Sequence, residues 1–162
     1  MASRGSASMA SVITGALASL LNAHAAVNAH AATAPVPAHA ALLVTMGRAV
    51  YQQHCAVCHG ERGEAARGWQ QPDANGELPA PPHNAQGHTW KHSDAMLYRI
   101  IQEGWRDPFN KTQRLTMPPF KSQLSRADTL AVIAYLKTLW TPEQRRFQTE
   151  ESHGHPFPAE AP

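Results

Sequence analysis

Cys55-Ala56-Val57-Cys58-His59 holds the only two cysteines of the chain, with a histidine directly after the second. On a helical turn, positions 55, 58 and 59 face the same side. Two thiols so arranged can each add across one vinyl group of a single porphyrin, and the neighbouring imidazole then meets its iron. The pattern predicts one haem c, covalently bound through Cys55 and Cys58, with His59 as the proximal ligand. A CxxC pair also occurs in thioredoxin-type redox disulfides and in zinc sites. The first needs a preceding strand, whereas Met46–His54 has a helical pattern. The second needs another cysteine pair, and the chain has none.

The 162 residues carry 14 Lys and Arg against 12 Asp and Glu, a net charge of +2. That length suits one modest domain, and so even a balance argues against nucleic acid as the partner. Arg4 is the lone charge ahead of an apolar stretch from Met9 to Leu21, and Ala23-His24-Ala25 follows as a small-x-small cleavage site. Residues 1–25 are therefore expected to be a signal peptide, with Ala29-His30-Ala31 as a second place to cut. The apolar stretch is shorter than the roughly 20 residues of a membrane span and is diluted by Ser, Thr and Gly. Export to the periplasm is expected, with tethering to the inner membrane only where the leader stays uncut. No third cysteine exists for a disulfide, so the oxidising compartment rests on the haem motif and the leader.

Residues 26–41 repeat Ala, His and Pro and carry too little apolar bulk to bury, which predicts a disordered linker with solvated histidines. Residues 42–141 form the expected folded domain, and 142–162 the expected disordered polar C-terminal tail. Helical periodicity marks Val44–His54, running straight into the haem motif. A second helix opens at Ser93, carries Met96, Leu97, Ile100 and Ile101 on one side, and stops at Gly104. The third follows Ser125-Arg126-Ala127-Asp128, which resembles a capping box, and carries Val132, Ile133, Leu136, Leu139 and Trp140 until Thr141-Pro142 ends it. Residues 60–82 have no sustained period and read as a long surface loop, with Trp69 placed to cover haem. Three main helices and no strand pattern make the chain all-α.

An iron held by one histidine has a sixth position to fill. Of the five methionines, Met1 and Met9 lie in the leader, and Met46 and Met96 lie on helices where core packing is the default. Met117 lies instead in Leu115-Thr116-Met117-Pro118-Pro119-Phe120, between two helices, where the following proline stiffens an extended backbone. It is the expected sixth ligand. His83, His88 and His92 compete, and are expected to be loop histidines bonded to backbone, solvent or a haem propionate.

With these residues placed, the chain resembles the class I mono-haem c-type cytochromes of the bacterial soluble kind over residues 44 to 140. Gly47 and Tyr51 match a glycine and an aromatic four residues apart ahead of the haem motif, and Val132-Ile133-Ala134-Tyr135-Leu136 matches a string on the last helix. The resemblance implies a small cytochrome c fold around one haem, in which these helices cross. It also implies that a proline carbonyl accepts the hydrogen bond of the proximal imidazole. Pro81 is the best match and Pro82 the alternate, because His83 stands where many relatives have a leucine packed on haem. Trp90, or Trp105 with Arg106, could match the residues found near the propionates. The loop at 61–80 and both ends extend beyond the resemblance.

The expected function is that of an exported electron carrier, not an enzyme, with His/Met-ligated iron. Redox-protein donors and acceptors, an oxidase, reductase or dehydrogenase, are its expected partners, and a monomer is expected. Between Arg99 and Arg126 six basic residues face only Glu103 and Asp107, a local excess that could steer an acidic partner. The rivals are a peroxidase-like haem enzyme or sensor with an open sixth position, and a cytochrome subunit of a larger oxidase or dehydrogenase.

Overall fold

The computed structural model describes residues 38–155. The expected leader with its cleavage sites, linker residues 26–37 and tail residues 156–162 lie outside them. The described residues form five α-helices: α1 (Ala38–His54), α2 (Ala56–His59), α3 (Asp94–Glu103), α4 (Arg126–Lys137) and α5 (Pro142–Gly154). A 3-10 turn covers Thr89–Lys91, and no strand forms among the described residues. The all-α expectation therefore holds.

α1 starts earlier than the expected Val44 because Ala38–Leu43 contains no Pro or Gly and is rich in good helix formers. This first part is largely exposed, Leu42 included. Farther along, α1 packs across α4 at Gly47, where an added Cβ would overlap the carbonyl oxygen of Ala131. Only a residue without a side chain lets the two backbones approach so closely. One turn on, Tyr51 is fully buried with its ring 5.2 Å from that of Tyr135. This is the helix crossing that the resemblance implied.

The helix ends follow local chemistry. Ser125 Oγ accepts from the Asp128 amide, and the Asp128 carboxylate accepts from the Ser125 amide at 3.0 Å, a complete capping box. Ser93 Oγ accepts from the Met96 amide, and α3 ends at Gly104 with φ of +80°. Leu97 and Ile101 of α3 and Val132 and Leu136 of α4 turn into the core.

The described part of the C-terminal tail differs from expectation, because Pro142–Gly154 is helical. Pro142 ends one helix and opens the next: Thr141 and Gln144 form a second capping box with the proline at the first helical position. α5 docks through polar contacts. Gln148, fully buried, donates to Asp94 Oδ1 at 2.6 Å, Gln144 donates to the Ala85 carbonyl, and the Ser152 hydroxyl accepts from the Asp94 amide. Phe147 adds an edge contact to Trp90 at 5.4 Å. A helix held by amides and hydroxyls has no apolar stripe, which is why hydrophobic periodicity passed over it.

Candidate haem-binding site

The haem motif forms the joint between α1 and α2. Cys55 closes α1 by donating its amide to the Tyr51 carbonyl at 2.8 Å, and the His59 amide donates to the Cys55 carbonyl at 3.0 Å. Tyr51 Oη donates to the Gly60 carbonyl at 2.9 Å, tying the end of the motif back to the core. Burial raises the Tyr51 phenol well above its ordinary value, so it stays a donor. The Cys55 thiol is buried and the Cys58 thiol exposed. Burial pushes Cys55 up to about 12, with the nearby Cys58 adding to the effect.

His59 is buried, and its Nδ1–H donates to the Pro81 carbonyl at 2.8 Å. That bond fixes the tautomer and leaves the Nε2 lone pair free. Burial holds the imidazole below its ordinary pKa, and the bond to Pro81 opposes this in part. His83 stacks on His59, ring centroids 3.8 Å apart and tilted by 24°. The second ring is itself anchored by Nδ1 against Thr89 Oγ1 at 2.9 Å, and its backbone carbonyl accepts from the Trp140 indole at 2.8 Å.

These groups open onto a cavity of about 970 Å³, lined by Cys55, Cys58, His59 and Met117. Leu97, Ile101, Val132 and Leu136 supply an apolar part of its wall. The volume lies at the upper end of the roughly 300–1,000 Å³ of ligand sites. Two free thiols, an imidazole with an uncommitted Nε2 and a thioether are a donor set that fits haem c. Met96 and Trp69 are absent from the wall, so the expected cover by Trp69 is not what forms. Trp105 lines the cavity, while Trp90 donates its indole N–H to the Gly87 carbonyl and packs on Phe147. His83, His88 and His92 also line the cavity.

Met117 is held from both backbone sides. Its amide donates to the Trp105 carbonyl at 3.0 Å, and the Trp105 amide donates to its carbonyl at 2.9 Å. Gly104 makes room, since a Cβ there would come 2.7 Å from the Met117 carbonyl oxygen. Beyond the two prolines, the Phe120 amide donates to the Ile101 carbonyl and returns the chain to the end of α3.

The family model for cytochrome c matches residues 44–140, more than half of the chain. The chain belongs to the cytochrome c family. As a cytochrome c, it carries covalent haem c, bound through Cys55 and Cys58, and serves electron transport between redox proteins. A solved structure, cytochrome CL from the marine methylotrophic bacterium Methylophaga aminisulfidivorans, is similar at 20% identity. The likeness covers 75% of this chain and 70% of that one, with a TM-score of 0.40. No curated protein matches the chain.

Several residues at the cytochrome's haem cavity had no sequence signal strong enough to single them out. The loop at 61–80, expected to be plain surface, buries the carboxylate of Glu77, and Asn110 is buried in the loop that leads to Met117. Asp73 could have marked the place, because its carboxylate accepts from the amides of Asn75 and Glu77 in a turn. The partners of Glu77 lie more than thirty residues away, so no local pattern could name them.

Proposed function

We infer that this cytochrome c is an exported, periplasmic carrier of single electrons that makes and breaks no bonds in its partners. His59 and Met117 would hold the haem iron. The observation that carries this is that both side chains line one largely apolar cavity, with His59 Nδ1 already committed to Pro81. Haem iron supplies the one-electron redox centre.

The chain's own residues set its behaviour. Pro81 orients the proximal imidazole, and the thioether of Met117 is neutral and soft, favouring the ferrous state over what a second imidazole would give. Leu97, Ile101 and Leu136 keep water from the cavity, which lowers the reorganisation that each electron transfer requires. Val57 and Phe109 are exposed at 87% and 82% and also line the cavity mouth, which suits a small, transient contact with a redox partner. Arg114 is paired with Glu77, so the basic excess near the mouth is smaller than a count along the chain suggests. Export rests on the leader and on the oxidising setting in which haem is attached to cysteine.

The test is an absorption spectrum of the haem-loaded protein in both oxidation states. A weak far-red band in the ferric form is expected from methionine sulfur on iron. Its absence would overturn the Met117 assignment and move the haem enzyme or sensor ahead of the carrier.

A further inference from the structure

The loop at 73–78 is fastened to the loop at 105–117, which ends on Met117. At its centre, the buried Glu77 carboxylate accepts from the Thr112 hydroxyl and pairs with Arg114 at 3.3 Å. Beside it the buried Asn110 bridges in two directions: Oδ1 accepts from the Leu78 amide at 2.7 Å, and Nδ2 donates to Thr116 Oγ1 at 3.3 Å. Thr116 is the residue next to Met117. A backbone bond from the Lys111 amide to the Gly76 carbonyl, 3.3 Å, completes the contact. Glu77, Arg114, Thr116 and Met117 all line the same cavity.

Side-chain bonds of this kind are not needed to close the loop at 105–117, because the Trp105 and Met117 backbones already pair at its base. Their effect falls on the tip and on the last residues before the ligand. A charged group buried with its partners is costly to leave unpaired, so opening the loop must break the Glu77 contacts and expose the carboxylate together. The loop at 61–80 thereby gains a role at the iron.

We propose that Glu77 and Asn110 are positioning residues that clamp the Met117 loop and set how readily the sixth ligand leaves the iron. The clamp rests on Met117 being that ligand. It makes the thioether a slowly exchanging ligand although its loop lies between helices and contains no regular structure of its own. Loss of a hydrogen bond to a charged group typically changes an equilibrium by about tenfold or more, and a local opening is expected to respond on that scale.

The experiment uses the ferric holoprotein and excess imidazole, following the far-red band as the thioether is displaced. Glu77→Gln, Asn110→Ala and Arg114→Gln are compared with wild type and with Gln148→Ala, which loosens α5 without touching the clamp. Displacement is expected to be about tenfold faster or more in Asn110→Ala and Glu77→Gln, smaller but in the same direction in Arg114→Gln, and unchanged in Gln148→Ala. The Arg114 side chain is 70% exposed, so that variant folds even where the buried ones do not. Wild-type rates in the clamp variants, or equal acceleration in Gln148→Ala, would overturn the clamp while leaving Met117 as ligand. A wild type with no far-red band would overturn both.

Discussion

The imidazole of His83 lies flat against that of His59, centroids 3.8 Å apart. His83 is partly buried, and desolvation first, then His59 and His88, holds its pKa well below the ordinary value. The ring thus resists protonation and adds polarity beside His59.

Replacing that ring by a hydrocarbon should make the surroundings of the iron drier and favour the less charged ferrous state. His83→Leu is expected to raise the midpoint potential by tens of millivolts, where about 59 mV is tenfold in a one-electron equilibrium. Thr89 keeps a partner in this variant through its bond to the Pro82 carbonyl at 3.4 Å. Equilibrium redox titration reads the shift, and an unchanged potential would show that the stacked ring only fills space.

Met117→Ala should lower the potential by roughly 100 mV or more, because axial-ligand identity is a main determinant of haem potential. The same variant should bind cyanide or imidazole faster than wild type. Cys55→Ser or Cys58→Ser should instead reduce the yield of covalently held haem, measured after acid-acetone extraction.

Gly47→Ala tests the helix crossing. The new methyl group would meet the Ala131 backbone, which cannot move without separating α1 from α4. A loss of about 3 kcal/mol is expected from such overpacking, a fall in Tm of roughly 10–20 °C for a domain of this size.

α5 should detach before the rest of the domain unfolds, since few apolar groups hold it. Gln148→Ala removes bonds to Asp94 and Ser152, and a cost of about 1–3 kcal/mol is expected. Hydrogen exchange of the amides at 142–154 should accelerate strongly in this variant. Exchange in α1 and α4 should change little.

Acid should weaken the fold in two stages. His92 is held below its ordinary value of 6.5 by burial and by His88, with Lys91 acting the same way and Glu151 opposing. The folded form thus resists a proton that the unfolded chain accepts, so stability is complete above about pH 6.5 and falls as pH drops below it. The Asp128 carboxylate is lowered by its hydrogen bonds to Ser125, so its contribution persists until pH falls below its ordinary value of 3.8. Urea midpoints of His92→Gln should show a shallower loss between pH 7 and pH 5 than wild type.

Much of the fold was legible because its signals are local. Ser93, Gly104 and the Ser125–Asp128 box act within one turn of the helices they bound, and the Gly47–Tyr51 spacing is itself a helical repeat. The Thr141–Gln144 box was equally local, yet it introduced a helix without an apolar face and passed as tail.

The sequence by itself determined the cofactor and its attachment, since two thiols and an imidazole within five residues need only one helical turn to act together. It also determined the three amphipathic helices, whose periodicity is set by backbone geometry. Only the tertiary structure decided that Pro81 rather than Pro82 accepts from His59, that His83 stacks on His59, and that Glu77 and Asn110 hold the loop before Met117. Those contacts join polar groups from distant segments, and hydrogen bonds between such groups leave no repeating pattern along the chain.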